Sequence, residues 1–211
     1  MSAQISRWLL DRGASTIAIA CNTASAAALH SLRALHPDVR FVGMEPAVKP
    51  AALTTSTGVI GVLATAATFQ GELFASVVQR HAEGLTVLTM ACPRWVELVE
   101  LGTIDGPEVE SQVERSLAPM LGMGVDTLVL GCTHFPFLIP VIDRIAGSGV
   151  AIVDPAPAVA RQVSRVAGSQ SGSGYLQLAT SGDPTRLEQL AERLTGMMTD
   201  EPVLACSFDE Y

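Results

Sequence analysis

The stretch Gly13–Thr23, G-A-S-T-I-A-I-A-C-N-T, returns later in the chain as Gly124–His134, G-V-D-T-L-V-L-G-C-T-H. In register, the glycine, the threonine and the cysteine coincide, and a run of strand-forming apolar residues leads into each cysteine. A short apolar run bounded by turn residues predicts a buried strand of a parallel sheet. Here each strand ends on a thiol followed by small or polar residues. The repetition extends outward, because Glu45-Pro46-Ala47 follows Cys21 at nearly the spacing at which Asp154-Pro155-Ala156 follows Cys132. Each half therefore reads strand, cysteine, helix, strand, acid-Pro-Ala, helix. Two such halves predict an α/β fold of two similar three-layer units with mainly parallel sheets, related by pseudo-twofold symmetry.

The elements around this repeat follow from periodicity and breakers. Ser2 to Arg12 carries Ile5, Trp8 and Leu9 on one helical stripe, with Gly13 as its stop. Strand Ile17 to Ala20 precedes an alanine-rich helix from Thr23 to about Leu35, which Pro37 cannot continue. Phe41 to Met44 is the next strand, and a short helix starts at Val48. Strand Val59 to Leu63 leads through Ala64–Thr68 into a helix predicted to run to about Gln79. Strand Leu85 to Ala91 precedes a helix opened by Cys92-Pro93 and running toward Leu101; a longer helix covers Pro107 to Met123. After the second cysteine, Pro136 to Ile145 reads as helix and Ala151 to Val153 as strand. The tail reads as a Gly/Ser loop (Ser169 to Gly174), a strand (Tyr175 to Thr180) and a helix (Pro184 to Leu194). The expected domains are 1–45 plus 155–211, and 46–154.

Ligands of parallel α/β sheets bind beyond the carboxyl ends of the strands. Cys21 and Cys132 belong there, with Asn22, Thr23, Thr65, Thr68, Thr133 and His134 beside them. A helix predicted after each cysteine would offer its thiolate backbone N–H groups and the positive end of a dipole. The same dipoles favour a carboxylate substrate.

Composition removes other classes. With 48% hydrophobic and 16% charged residues over 211 positions, the chain has the material for a sizeable core. A net charge of −8 disfavours nucleic acid and anionic membranes as partners. No apolar run is long enough to span a bilayer, and the N-terminus lacks the pattern of a secretory signal. The 4 cysteines, without close pairing, fit a reducing cytoplasm. Neither a phosphate-binding glycine loop nor a metal-spaced ligand set occurs, so neither nucleotide nor metal is expected. Lys49, the chain's single lysine, lies in a V-K-P turn and makes a poor pyridoxal phosphate anchor. What remains is two thiols, a histidine next to one, and hydroxyl and amide groups that can hold carboxylates. Two thiols across one carbon suit proton removal on one face and delivery on the other, which is racemisation or epimerisation without a cofactor.

The motifs A-C-N-T-A-S-A (Ala20–Ala26) and L-G-C-T-H-F-P-F-L (Leu130–Leu138) resemble the two signature motifs of the bacterial glutamate racemase family. G-V-L-A-T-A-A-T (Gly61–Thr68), C-P-R-W-V-E-L-V-E-L-G (Cys92–Gly102), the D-P-A at Asp154 and S-G-D-P (Ser181–Pro184) resemble further blocks of that family in the same order. The resemblance runs to about Gly196. It implies interconversion of L- and D-glutamate for peptidoglycan synthesis, without cofactor, by a dimeric protein. Cys21 and Cys132 would serve as base or acid on opposite faces of the substrate. Asn22, Thr23, Thr65, Thr68, Thr133 and His134 would hold its carboxylates and amine. His134 would also assist Cys132, and Glu100 matches the family's acidic residue on that side, with Glu97 one helical turn earlier as the competing choice. The histidine after C-T favours glutamate over aspartate racemase.

The family pattern opens with a strand and a D-S-G turn, and later carries a Tyr-Gly substrate contact; this chain starts downstream of them. The first unit is therefore expected to be incomplete, with Cys21 lacking its acidic helper. A shortened chain, a start assigned too late and a degenerate paralogue are the three readings, and the intact later motifs favour the second. The 211-residue chain is expected to be weakly active and marginally stable. Strong racemisation, followed by circular dichroism of glutamate, would overturn this. Plainer readings stand beside these: Cys92 and Cys206 as structural thiols, Thr65 and Thr68 as helix caps. The functional alternatives are an aspartate or hydantoin racemase, a one-cysteine decarboxylase, and a non-catalytic glutamate-binding paralogue.

Overall fold

Residues 1–168, 174–199 and 201–207 are described by the computed structural model. Helix α1 (Ser2–Leu10) precedes β1 (Thr16–Ala18), α2 (Asn22–Leu35), β2 (Arg40–Val42) and α3 (Val48–Thr54). Next come β3 (Val59–Ala64), α4 (Ala66–Gln70), α5 (Glu72–His81), β4 (Thr86–Ala91), α6 (Pro93–Glu100), α7 (Pro107–Leu121) and β5 (Thr127–Leu130). A 3-10 turn, Phe135–Leu138, leads into α8 (Ile139–Ala146), followed by β6 (Ala151–Val153), α9 (Ala156–Ala167), β7 (Ala179–Thr180), α10 (Pro184–Thr195) and β8 (Leu204–Ala205).

All strand pairs among the described residues are parallel, as the alternation of strands and helices predicts. Four strands form the larger sheet in the order β4-β3-β5-β6; β1 pairs with β2, and β7 with β8. The two central strands of the larger sheet are buried along nearly their whole length, because helices cover both faces. Period-two alternation divides their side chains. Ile60, Val62 and Val129 face α3 and α5, and pack with Val48, Ala51, Phe74 and Val77. Leu63, Leu128 and Leu130 face α6, α7 and α8, and pack with Trp95, Leu98, Leu117 and Ile142. The smaller sheet packs Ile17 and Phe41 against Leu32 of α2, and α9 lies against β1 and β2.

Three local expectations fail for identifiable reasons. The helix predicted to reach Gln79 breaks at Gly71, whose extended backbone (φ −78°, ψ 138°) separates α4 from α5. The helix predicted from Pro136 starts as a 3-10 turn, since Pro136 and Pro140 remove N–H donors needed for i→i−4 bonding there. The strand predicted over Tyr175–Thr180 shrinks to Ala179–Thr180. Tyr175 and Leu176 find no core to bury against, and the Gln177 side chain donates to the carbonyls of Leu178 and Pro202 instead. Its partner strand, Leu204–Ala205, was not anticipated, and the Gly/Ser loop falls mainly on residues 169–173, outside the described residues.

At the amino end of β5, Asp126 clasps the loop that enters β3. Its carboxylate accepts from Thr55 Oγ1 (2.6 Å), Ser56 N (2.7 Å), Ser56 Oγ (2.8 Å) and Thr57 N (2.8 Å). Partial burial opposes ionisation, but the bonds from Thr55, Thr57 and Ser56 outweigh it and hold the carboxyl below the usual carboxylate range. A depressed folded value contributes stability that is present above the unfolded Asp value of about 3.9, and lost as pH falls toward the folded value. Asp126→Asn is expected to cost on the order of 1 kcal/mol near neutral pH. Thermal melts between about pH 3 and pH 7 should show the variant's deficit shrinking toward the acid end.

Candidate active site

Cys21 sits as the N-cap of α2, with extended backbone, and its sulfur accepts from Ala24 N at 3.5 Å. Its side is exposed. Behind it, Ser25 Oγ donates to the Ile19 carbonyl (3.1 Å) and accepts from Met44 N (2.9 Å), tying the ends of β1 and β2 to α2. Cys132 is buried, just beyond the carboxyl end of β5. Gly131 is obligatory there: a Cβ would lie 2.9 Å from both Ala64 Cβ and the Leu63 carbonyl oxygen.

The two cysteine turns meet through their neighbours. Asn22, next to Cys21, donates from Nδ2 to the carbonyl of Gly131, next to Cys132, at 2.9 Å. This buried bond joins residues more than a hundred positions apart and brings the two copies of the repeat to one place. Asn22 Oδ1 is buried with no hydrogen-bond partner among the described residues, an arrangement that favours a donor arriving from a ligand.

Around Cys132 the symmetry ends. Thr133 and His134 form a turn, half-buried, and α8 begins only at Ile139. No α-helix opens directly at Cys132, because the 3-10 turn from Phe135 intervenes, so the α-helix N-terminus anticipated for this thiol is displaced along the chain. A histidine takes its place. His134 Nδ1 lies 3.5 Å from Cys132 Sγ, and its Nε2 lies 2.6 Å from Glu100 Oε1 at the end of α6. Phe135 packs edge-to-face on Trp95 of the same helix, centroids 5.0 Å apart, which registers the turn against α6. Glu97, the competing acid, is engaged by Arg94 instead (2.6 Å).

The Cys132 sulfur raises the His134 pKa most; burial opposes this, and Glu100 raises it further, from 6.5 to about 9. His134 is then doubly protonated near neutral pH, donating from Nδ1 to sulfur and from Nε2 to carboxylate. A raised folded value contributes stability that is fully present below about pH 6.5 and lost as pH rises through about 9. The stability difference between the unaltered chain and His134→Ala, measured by thermal melts, is expected to narrow over that window.

Thr23, Thr65 and Thr68 form a triangle of hydroxyls: Thr23 Oγ1 lies 3.2 Å from Thr65 Oγ1 and 3.0 Å from Thr68 Oγ1, and the latter two are 3.0 Å apart. Thr65 is also the N-cap of α4, accepting weakly from Thr68 N at 3.4 Å, so the capping role and the convergent cluster coexist. Three rotatable hydroxyls can turn their protons toward one carboxylate. Cys92 shares the core cluster of Cys132, but burial pushes its thiol up to about 11. Among the described residues no group of three or more His, Cys, Asp or Glu side chains is arranged to hold a metal ion. Two features had no sequence signal: the Gly131 carbonyl as the partner of Asn22, and Arg186, which donates to the Glu100 carbonyl at 3.3 Å.

The chain as a whole is similar to known proteins. The chain is 46% identical over 201 residues to the glutamate racemase of Roseiflexus sp. (strain RS-1), an alignment covering 92% of this chain and 74% of the relative. Against the glutamate racemase of Pseudomonas putida (strain F1) identity is 42% over 191 residues, covering 88% and 72%. In structure, a glutamate racemase isoform of Bacillus anthracis superposes with a TM-score of 0.84 at 28% identity, over 98% of this chain and 79% of that one. Escherichia coli glutamate racemase, solved with L-glutamate and the activator UDP-MurNAc-Ala, superposes equally well (TM-score 0.84, 28% identity, 97% and 78% covered). The family described as Asp/Glu/Hydantoin racemase matches residues 1–163. With that match over most of its length, the chain belongs to the Asp/Glu/hydantoin racemase family.

Proposed function

We propose that this chain interconverts L- and D-glutamate by two-base proton transfer, with no cofactor, supplying D-glutamate for peptidoglycan in the cytoplasm. The observation that carries the reading is the Asn22–Gly131 bond, which joins the two cysteine turns directly. One thiolate takes the α-proton from one face, leaving a carbanion delocalised into the α-carboxylate; the other thiol returns a proton to the opposite face. After one turnover the base has become a thiol and the acid a thiolate, each on its own side, so the reverse reaction finds its catalysts already set. The Thr23–Thr65–Thr68 hydroxyls suit a substrate carboxylate, and the partnerless Asn22 Oδ1 suits the substrate ammonium. Thr133 and His134 border the same turn, with Glu100 behind His134. The glutamate racemase names of the relatives, and the L-glutamate bound in the Escherichia coli structure, support glutamate as substrate.

We also propose that the site lies between units 1–45 plus 155–211 and 46–154; the packing of α9 against β1 and β2 supports this division. The functional test is turnover of each glutamate enantiomer in D2O, following ellipticity and loss of the α-proton signal together. Racemisation with solvent deuterium entering the inverted product is the expected result. A chain that turns over aspartate or a hydantoin in preference, or that is stabilised by glutamate without exchanging its α-proton, would sink the reading.

A further inference from the structure

Helix α6 ends at Glu100, and the last carbonyls of a helix lack partners of their own. The N–H groups of Leu101, Gly102 and Thr103 return to the carbonyls of Glu97, Val99 and Leu98, which leaves the Glu100 carbonyl, and no basic residue stands in the last turn to reach it. Arg186, from the first turn of α10, supplies the missing donor: its Nη2 reaches the Glu100 carbonyl at 3.3 Å. A guanidinium there also complements the negative end of the helix dipole. Beyond Glu100 the chain passes Gly102, at φ +70°, where a Cβ would lie 2.8 Å from Arg193 Cδ and 3.0 Å from its Nε. The absence of a side chain at 102 lets α10 settle against the end of α6. Leu194 anchors α10 further, packing on the same core cluster that contains Cys132. A crevice of about 180 Å³ remains between α10 and the end of α6, with Arg186 and Glu100 among its lining residues.

We propose that Arg186 is a positioning residue for the Cys132 half of the site: it holds the main chain of Glu100 so that the carboxylate meets His134 Nε2. This rests on the racemase reading above. The step is indirect: Arg186 bonds the Glu100 carbonyl, the Glu100 carboxylate orients the imidazole, and the imidazole faces the sulfur. An ordinary helix-to-helix clamp would fasten α10 and nothing more.

The discriminating readout is the titration of His134, followed by NMR of the imidazole signals and assigned by their loss in His134→Ala. Arg186→Met keeps the apolar stem and removes the donor, while Arg186→Lys restores one. Removing a nearby positive charge would by itself raise the titration midpoint of His134. Loosening Glu100 lowers it. The expected result is a midpoint about half a unit to one unit lower in Arg186→Met, mostly restored in Arg186→Lys. An unchanged or raised midpoint in Arg186→Met, or a lowered one that lysine leaves lowered, overturns the proposal, whatever happens to the melting temperature. The titration needs no turnover. A chain that fails to racemise glutamate overturns the functional reading alone, and an unmoved midpoint overturns this one alone.

Discussion

Cys132→Ala lowers kcat for glutamate racemisation at least about a thousandfold relative to the unaltered chain, and Cys21→Ala does the same. Each thiol serves one face of the α-carbon, so either loss interrupts the whole inversion. Cys92 offers no substitute: it is buried, its sulfur contacts Met90 O (3.6 Å) and Ser116 Oγ (3.8 Å), and its thiol is pushed up to about 11. Cys92→Ala is accordingly expected to leave kcat within a few-fold of the starting value, provided the core closes around the gap. The single-cysteine variants should also divide the chemistry. The remaining thiolate still takes a proton from one enantiomer and returns solvent deuterium to the same face, giving exchange with retention. Cys21→Ala and Cys132→Ala should therefore label opposite enantiomers in D2O. Both labelling the same enantiomer, or either racemising at an undiminished rate, would overturn the assignment of one thiol to each face.

The parts legible in the sequence are those where local pattern and tertiary need agree. Apolar runs into Cys21 and Cys132 make strands because helices cover both faces, and Cys21 caps α2 because a polar residue before an alanine-rich run can do little else. The second copy is less faithful to its pattern. Pro136 and Pro140 turn the expected helix start into a 3-10 turn, which displaces the anticipated α-helix N-terminus from Cys132, and His134 stands beside the sulfur. Glu100 stands out in the sequence only through family resemblance, since its place beside His134 depends on how α6 packs, with Trp95 against Phe135. The Asn22–Gly131 and Arg186–Glu100 bonds leave no local trace. Each pairs a side chain with a backbone carbonyl far away in sequence, and any residue at the acceptor position presents the same group.

His134→Ala is expected to lower kcat by roughly a hundredfold, and Glu100→Gln by roughly tenfold, because the first removes the proton partner of Cys132 and the second only its orienting acid. The direction of the defect is informative. L- and D-glutamate have equal free energies in water, so kcat/KM must be the same in both directions for every variant, however lopsided its site. The imbalance instead appears in isotope effects. When proton transfer at Cys132 alone is slowed, the α-deuterium effect on kcat/KM rises for the enantiomer whose proton Cys132 removes. For the other enantiomer, whose proton goes to Cys21, the rise appears as a solvent effect. The pH profile separates the two variants further. With His134 titrating near 9 and kept protonated by Cys132 and Glu100, kcat/KM for the unaltered chain should fall as pH rises through that value. Neutralising Glu100 removes part of that support, so the falling limb of Glu100→Gln should move to lower pH. In His134→Ala any remaining alkaline limb belongs to the thiol that must stay protonated to donate. Equal isotope effects from both enantiomers in His134→Ala would mean that His134 does not handle protons on the Cys132 side. A histidine wired between one thiol and one carboxylate, with no counterpart at Cys21 among the described residues, predicts the asymmetric result.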